Sequence, residues 1–278
     1  MNHNDVKSES WDIGTGVKGY IWHAGNERAI LLLQHGWGDY AERFVHQNNQ
    51  IIPELLKLGV TVYAFDMRGS GRSPGDKGRT DVEQAVKDFA AARAALKDKS
   101  PLFLLGHSIG GLVVATSLIE SQDNVEGAIL LSPSFEHRVN IIGRSIVKWF
   151  AKLIPKRQLP VPPQSSDKMT AKEENIKKLD QDPMLVSERL PWISASSDIK
   201  VSQDNLSRYN QIVSPLLVIH GTDDQSASHK NTTDFINRVN SKDKTFYLVK
   251  KGRHILLDDI LQDQTLNTIL NWLDKRLQ

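Results

Sequence analysis

Five consecutive residues of the chain place a serine between glycines, a pattern that can support nucleophilic chemistry. Gly106-His107-Ser108-Ile109-Gly110 follows an apolar run, Leu102 to Leu105, and precedes an apolar helical pattern that begins near Leu112. A serine on a sharp turn from strand to helix is exposed to an incoming carbonyl, and the glycines let strand and helix approach closely. The motif also arises by chance in surface loops, so its interpretation depends on partner residues. Ser108 is the candidate nucleophile.

A base for this serine is predicted near the end of the chain. A serine hydroxyl is a weak nucleophile until a base takes its proton, and histidine is the most frequent base. The apolar run from Thr245 to Val249 leads into Lys250-Lys251-Gly252-Arg253-His254. His254 is therefore the candidate base.

Two neighbouring carboxylates compete for the acid that would orient this histidine. In folds with such a serine turn, the groups occur along the chain in the order serine, acid, histidine. The apolar run from Pro215 to Ile219 leads into His220-Gly221-Thr222-Asp223-Asp224. The spacing His-Gly-x-x-Asp favours Asp224 as the acid, with Asp223 as a turn residue. The strand before this one is followed by Ser132-Pro133-Ser134, which offers no carboxylate.

A glycine-containing turn after the first buried run provides a place for the negative charge of an acyl-transfer intermediate. Ala29 to Gln34 leads into His35-Gly36-Trp37-Gly38-Asp39, which matches the loop that donates one backbone amide in folds of this kind. The second donor is the amide of the residue after the nucleophile. We assign the N–H groups of Trp37 and Ile109 to an oxyanion hole, where each donor is worth roughly 2.7–4 kcal/mol toward the transition state. The alternative is a turn that serves only the backbone.

Three further histidines, His35, His107 and His220, adjoin the ends of predicted strands. We interpret them as side chains that hold loops by hydrogen bonds. Three such histidines could also suggest a metal site, but their positions beside the motifs above favour the structural interpretation. We expect neither a metal nor a cofactor.

The elements that must position these residues follow an alternating pattern. Short runs that are apolar on both faces are typical of buried parallel strands, and the gaps between them show helical periodicity. The alternation predicts an α/β fold with a mainly parallel central sheet flanked by helices. The predicted strands are Ala29 to Gln34, Val60 to Phe65, Leu102 to Leu105, Gly127 to Leu131, Pro215 to Ile219 and Thr245 to Val249. The predicted helices are Asn48 to Leu58, Asp81 to Leu96, Leu112 to Glu120 and Thr265 to Leu277.

One segment, residues 135–204, interrupts the alternation and is predicted to be a cap inserted into a core of residues 1–134 and 205–278. From Asn140 to Pro155 it has an amphipathic helical pattern, whose apolar stripe could pack on the core and roof the site or dock transiently on anionic lipid. Leu159 to Pro163 then ends any helix, because proline lacks the amide donor. The stripe consists of Ile142, Ile146, Trp149, Phe150 and Leu153, and another face carries Arg144, Lys148 and Lys152.

The composition of the 278-residue chain is ordinary for a soluble globular protein, with 39% hydrophobic and 24% charged residues. The net charge of +2 is too small to indicate a nucleic-acid partner. The absence of cysteine excludes disulfides and a thiol nucleophile. The polar N-terminus lacks the apolar core of a signal peptide, and no stretch approaches the ~20 apolar residues of a membrane span. We therefore expect a cytoplasmic protein.

Together these segments resemble the monoacylglycerol lipase and lysophospholipase branch of the α/β-hydrolases over most of the chain. Asp182-Pro183-Met184, late in the cap, is similar to the D-P-[LM] of that branch. The chain departs from it at Asp39-Tyr40, where the lipases usually have Glu-His, and through most of the cap. The matching motifs, in order, are His35-Gly36-Trp37-Gly38 with Glu42-Arg43-Phe44, Asp66 to Ser73, Gly106 to Gly110, Gly221 to Asp224 and Gly252 to His254.

The resemblance implies a serine hydrolase of acyl esters that needs no cofactor, with Ser108, Asp224 and His254 as its catalytic triad. It implies a small lipid-like substrate such as a monoacylglycerol or a lysophospholipid. The same fold also hosts aminopeptidases, cofactor-free haloperoxidases and carbon–carbon bond hydrolases, and a protein with this fold can bind a ligand without turning it over. The departures in the cap leave the substrate open, because the cap builds much of the acyl pocket.

Overall fold

A sheet of eight strands organises the chain, whose computed structural model describes residues 6–98, 101–136, 138–161, 165–186 and 189–277. The strands are β1 Glu9–Trp11, β2 Gly19–Trp22, β3 Ala29–Gln34, β4 Val60–Phe65, β5 Leu102–His107, β6 Val125–Leu131, β7 Leu216–Gly221 and β8 Lys244–Val249. They lie in the order β1-β2-β4-β3-β5-β6-β7-β8. β1 pairs with β2, and β2 with β4, in antiparallel orientation. All the pairs among β3 to β8 are parallel. The predicted α/β fold is confirmed.

All six predicted strands are present, as β3 to β8. β3, β4, β5 and β7 are buried along their whole length, as expected of parallel strands that helices cover on both faces. The sequence does not predict β1 and β2, because strands of three and four residues are too short to show a period.

Ten α-helices lie in the described part of the chain. They are α1 Arg43–His46, α2 Ile51–Lys57, α3 Val82–Ala95, α4 Ile109–Glu120, α5 Ile141–Leu153, α6 Ser166–Met169, α7 Glu173–Gln181, α8 Trp192–Asn205, α9 His229–Arg238 and α10 Gln262–Asp274. The four predicted core helices correspond to α2, α3, α4 and α10, with shifted ends.

The shifts have local causes. Helix α4 begins at Ile109 and not near Leu112, because the sharp turn at Ser108 leads directly into the helix. Helix α2 begins at Ile51, because Asn48–Gln50 form a 3₁₀ turn whose residues have positive φ. Helix α10 is displaced toward the N-terminus relative to its predicted range.

Helix α3 illustrates how the sequence sets an element. Its N-terminus is capped by Asp81, whose carboxylate oxygen accepts the backbone N–H of Glu83 at 3.0 Å and of Gln84 at 3.4 Å. Its apolar face is buried against the sheet, where Phe89 packs on Phe65 with the ring centroids 6.4 Å apart. The helix thus covers the strands that lead into the loops described below.

Within the described residues, four helices, α5 to α8, lie between β6 and β7, where the sequence predicts an inserted cap. Helix α8 packs on α3 and α4, and Nδ2 of Asn205 donates to Oγ1 of Thr116 at 2.7 Å. Helix α5 packs on α8, so that α8 connects the outer cap with the core. The domain boundaries at 135 and 204 stay a prediction. Pro162 and Pro163, which are predicted to end a helix, lie outside the described residues.

Two buried apolar layers cover the opposite faces of the sheet. Along β3, Ile30 and Leu32 belong to one layer and Leu31 and Leu33 to the other, as the alternation of side chains in a strand requires. Both faces of the sheet are therefore covered, and the candidate residues described below follow the carboxyl ends of its parallel strands. Among the described residues, no helix has the length and apolar character needed to cross a membrane.

Candidate active site

Ser108 lies on a strained turn between β5 and α4. Its backbone has a φ of +56° and a ψ of −122°, a conformation that residues other than glycine rarely adopt. A Cβ atom on Gly106 would overlap the carbonyl oxygen of Gly110, and one on Gly110 would overlap that of Gln34. Both glycines are therefore required for the strand, the helix and the neighbouring loop to meet at the serine.

The imidazole of His254 lies between a hydroxyl and a carboxylate. Its Nε2 is 3.0 Å from Oγ of Ser108, and its Nδ1 is 2.8 Å from Oδ2 of Asp224. The serine follows β5, the aspartate follows β7 and the histidine follows β8, so three parallel strands deliver the groups to one edge of the sheet. The structure thus brings together the three side chains that the sequence predicts as a triad.

The structure distinguishes the two candidate aspartates. The side chain of Asp224 is fully buried, and its Oδ1 accepts the backbone N–H groups of Ser226 at 2.8 Å and Ala227 at 2.9 Å. Burial raises the pKa of Asp224, but the neighbouring imidazoles of His254 and His220 outweigh it, and the net direction is a lowered pKa. Asp223 is exposed and accepts from the Thr222 hydroxyl at 3.0 Å. Only Asp224 contacts the candidate base.

His220 is buried behind Asp224 and holds its turn. Its Nε2 lies 3.1 Å from the carbonyl oxygen of Ala227 and 3.1 Å from Oδ2 of Asp224, and Oγ1 of Thr232 lies 2.9 Å from its Nδ1. Two acceptors beside Nε2 place the proton on that nitrogen, so that Nδ1 accepts the threonine proton. The structural role that the sequence predicts for this histidine is confirmed.

His35 and His107 also bond to loops. Nδ1 of His35 is 2.7 Å from the carbonyl oxygen of Gly36, and its Nε2 accepts the backbone N–H of Met67 at 2.9 Å. Nε2 of His107 lies 3.3 Å from the carbonyl oxygen of His254, and burial, with the neighbouring His254, lowers the pKa of His107 to about 3. His107 is therefore neutral at ordinary pH. Within the described residues, no three histidine or acidic side chains are arranged to hold a metal ion.

The two residues assigned to an oxyanion hole flank the serine. Ile109 is the first residue of α4, so its N–H has no acceptor within the helix. Trp37 belongs to the loop after β3, and a Cβ atom on the adjacent Gly36 would lie 3.1 Å from Cβ of Ser108. The indole of Trp37 donates to the carbonyl oxygen of Gly78 at 2.8 Å, which fixes its side chain. Both residues border the cavity beside the serine, and their role stays a prediction.

This cavity has a volume of about 380 Å³ and is bounded by both core and cap. Ser108 and His254 line it from the core side. The cap contributes apolar side chains, among them Leu159, Val161, Leu179, Leu185, Val186 and Leu190. An apolar wall facing the hydroxyl of Ser108 is suited to a ligand with a hydrophobic part.

Sequence reasoning missed a polar group on the wall of this cavity. Ser134 donates its backbone N–H to the carbonyl oxygen of Ser108 at 3.0 Å and its hydroxyl to Oδ2 of Asp198 at 2.8 Å. Burial and the nearby Glu136 raise the pKa of Asp198 to about 8, so this carboxyl carries a proton near neutral pH. Asp198 and Glu136 both border the cavity but belong to the cap segment, where no sequence motif singles them out.

A serine turn after β5, an acid after β7 and a histidine after β8, on a sheet of this order, define the α/β-hydrolase fold. The chain belongs to the Hydrolase_4 family, described as serine aminopeptidase, S33, whose family model matches residues 25–260.

Known proteins resemble the chain over nearly its whole length. It is 26% identical over 264 residues to a monoacylglycerol lipase of Mycolicibacterium smegmatis, with 92% of each chain covered. It is 25% identical over 255 residues to an uncharacterized abhydrolase domain-containing protein of Dictyostelium discoideum, covering 90% of this chain but 27% of that protein. Its fold matches the crystal structure of a Paleococcus ferrophilus monoacylglycerol lipase with a TM-score of 0.82 at 24% identity, covering 96% of this chain and 99% of that one. The predicted resemblance to the monoacylglycerol lipase branch is confirmed.

Proposed function

We propose that the protein is a serine carboxylic-ester hydrolase whose catalytic triad is Ser108, Asp224 and His254. The observation that carries the proposal is the position of the imidazole, 3.0 Å from the serine Oγ and 2.8 Å from the carboxylate of Asp224. From there one ring nitrogen can take the serine proton while the other stays bonded to the carboxylate, which fixes the tautomer and stabilises the imidazolium.

The proposed reaction has two halves. Ser108 attacks the ester carbonyl while His254 takes its proton, and the N–H groups of Trp37 and Ile109 hold the oxyanion. His254 then protonates the leaving alcohol, and the acyl group remains on the serine oxygen. In the second half, water gives a proton to His254 and attacks the acyl-enzyme. His254 then returns this proton to the serine oxygen as the bond to the acyl group breaks, which releases the acid and restores Ser108. Neither half requires a cofactor.

We propose a lipid-like ester, such as a monoacylglycerol or a lysophospholipid, as the substrate. The apolar cap side chains around the cavity support an acyl chain as one part of the substrate. The relatives that are named as monoacylglycerol lipases support the same class. The family description favours instead an aminoacyl substrate, so amides belong in any test of this proposal.

A substrate series separates these possibilities. Chromogenic esters of rising acyl length would be assayed first, followed by monoacylglycerols, lysophospholipids and aminoacyl amides, with Ser108→Ala as the control for each. We expect esters to be turned over, monoacylglycerols or lysophospholipids to be preferred to amides, and the variant to be folded but inactive. Preference for the amides, or wild-type activity of the variant, would contradict the proposal.

We propose further that residues 135–204 act as a cap over the cavity and that α5 contacts lipid surfaces. The predicted packing of the apolar stripe on the core is wrong for most of its residues, since among them only Phe150 is not exposed; its ring stacks on Trp192 with centroids 4.7 Å apart. Basic side chains beside an exposed apolar stripe fit an anionic bilayer. The exposed stripe residues are Ile142, Ile146, Trp149 and Leu153, and the exposed basic residues are Arg144, Lys148 and Lys152.

A further inference from the structure

A segment late in the predicted cap contacts the loop that carries Trp37. We define Asp182–Val186 as the cap strap and Gly36–Tyr40 as the oxyanion loop. The backbone N–H of Val186 donates to the carbonyl oxygen of Gly38 at 2.9 Å. This bond joins the backbone of the cap directly to the backbone of the loop, one residue after Trp37.

Side chains add two further links between the cap strap and the core. The phenol of Tyr40 donates to Oδ2 of Asp182 at 2.8 Å, and burial together with this carboxylate raises the pKa of Tyr40, which keeps the phenol protonated as a donor. Nζ of Lys77 donates to the carbonyl oxygen of Pro183 at 2.7 Å. The other carboxylate oxygen of Asp182 accepts the N–H of Met184 at 2.9 Å, which holds the strap itself in a turn.

The side chain of Val186 packs against two glycines, one next to Trp37 in the chain and one that contacts its indole. A Cβ atom on Gly38 would lie 2.9 Å from Cβ of Val186, and one on Gly78 would lie 2.8 Å from its Cγ1. Gly78 is also the residue whose carbonyl oxygen accepts the indole N–H of Trp37. Val186 therefore packs closely against Gly38 and Gly78, and a Cβ atom at either glycine would overlap it while the strap is in place.

We infer that the cap strap positions the oxyanion loop, with Tyr40, Asp182 and Val186 acting as positioning residues for the N–H of Trp37. The inference rests on the proposed function, because it concerns the oxyanion of that reaction. Gly38 has a φ of +71°, so the loop contains a residue that can adopt other conformations without the strap. A donor aids the transition state only when it is already aimed at the oxyanion. Displacement of the cap would therefore slow the chemical step and not only admit the substrate.

The test uses two variants that remove separate contacts. Tyr40→Phe deletes the phenol donor to Asp182, and Val186→Ala deletes the packing on the glycines. Tyr247→Phe, on β8, and Val213→Ala, at a surface position that is 60% exposed, are the matched controls. Each protein would be assayed for kcat and KM on the best ester of the wild type, and for the Ki of a trifluoromethyl ketone, whose serine adduct carries an oxyanion.

We expect each strap variant to lose about 10- to 100-fold in kcat, because a small misplacement of a catalytic group acts on the transition state. KM should change by less than about twofold in Tyr40→Phe, whereas Val186→Ala also removes two methyl groups from the cavity wall and should raise KM as well. The Ki of the ketone should rise by the same factor as kcat falls, and both controls should match the wild type. Thermal unfolding would show whether either variant has lost its fold, and the other variant then carries the test.

Three results would overturn the inference. One is wild-type kcat and Ki in both strap variants. Another is an unchanged Ki while activity falls together with the thermal midpoint, since that pattern describes general destabilisation. The third is an inactive wild type, which would overturn the proposed function and the role of the strap together. An active wild type whose strap variants keep its kcat and Ki would overturn only the role of the strap.

Discussion

Asp224 has the surroundings that an orienting carboxylate requires. One of its oxygens is fixed by the N–H groups of Ser226 and Ala227, which leaves the other for the imidazoles of His254 and His220. Burial raises the pKa of Asp224, but the neighbouring imidazoles of His254 and His220 lower it by more. The carboxylate therefore stays ionised over the pH range in which a hydrolase works. The negative charge that must hold the imidazole is therefore present before substrate binds.

Replacing this carboxylate by an amide gives a prediction at the scale of one residue. Asp224→Asn keeps the shape but removes the charge and favours the wrong tautomer of His254, so we expect kcat to fall about 10⁴-fold. Asp223→Asn changes an exposed carboxylate one position away and should leave kcat near the wild-type value. Steady-state kinetics on a chromogenic ester would measure both, and equal effects of the two changes would contradict the assignment.

Single residues could be predicted from the sequence where a motif marks them. Ser108, His254 and the preference for Asp224 follow from the order and spacing of groups after buried strands. Asp198 reaches the cavity wall only through the packing of α8, and no local pattern predicts that. Contacts between segments distant in the chain, such as that of Tyr40 with Asp182, depend on tertiary structure in the same way.

At the scale of elements, helix α5 stands out because it exposes a stripe of large apolar side chains. Its face toward α8 is buried only at Ala151, while Ile142 is 70% and Trp149 is 58% exposed. Exposed apolar groups in one stripe are costly in water and mark a surface that is covered under some condition. The proposed condition is contact with an anionic bilayer, to which each basic side chain next to the stripe would contribute about 1 kcal/mol of attraction.

Binding to vesicles tests this role of α5. We expect the wild type to co-sediment with phosphatidylglycerol-containing vesicles at low salt, and less so as salt screens the basic residues. Ile142→Glu places a charge in the stripe and should abolish most of the binding, whereas Val213→Glu makes the same change at an exposed site elsewhere and should not. No binding of the wild type at low salt, or equal losses in both variants, would rule out the lipid role.

The elements of the core could be predicted because each carries a long enough pattern. The buried strands β3 and β4 are runs of six residues, five of them apolar in each, that no turn residue interrupts. The start of α4 was harder to predict, because the strained φ of Ser108 lets the helix begin directly after the nucleophile. The short helix α6 in the cap has no buried residue, so it leaves no apolar period in the sequence.

At the scale of the molecule, the candidate catalytic residues lie at one edge of the sheet, next to the predicted cap of residues 135–204. The parallel strands bring the proposed nucleophile, base and acid together from positions 108, 254 and 224. Residues of the predicted cap line the cavity, and the strap contacts the loop that is assigned to the oxyanion. If residues 135–204 act as the proposed cap, their side chains would select which substrate reaches Ser108.

Labelling with a serine-directed fluorophosphonate tests the central claim most directly. A hydroxyl activated by His254 should attack the phosphorus, and mass spectrometry of the digested protein should locate the adduct on Ser108. We predict stoichiometric labelling of the wild type, none of Ser108→Ala, and much slower labelling of His254→Ala. An unlabelled wild type, or an adduct on another residue that persists in Ser108→Ala, would contradict the account.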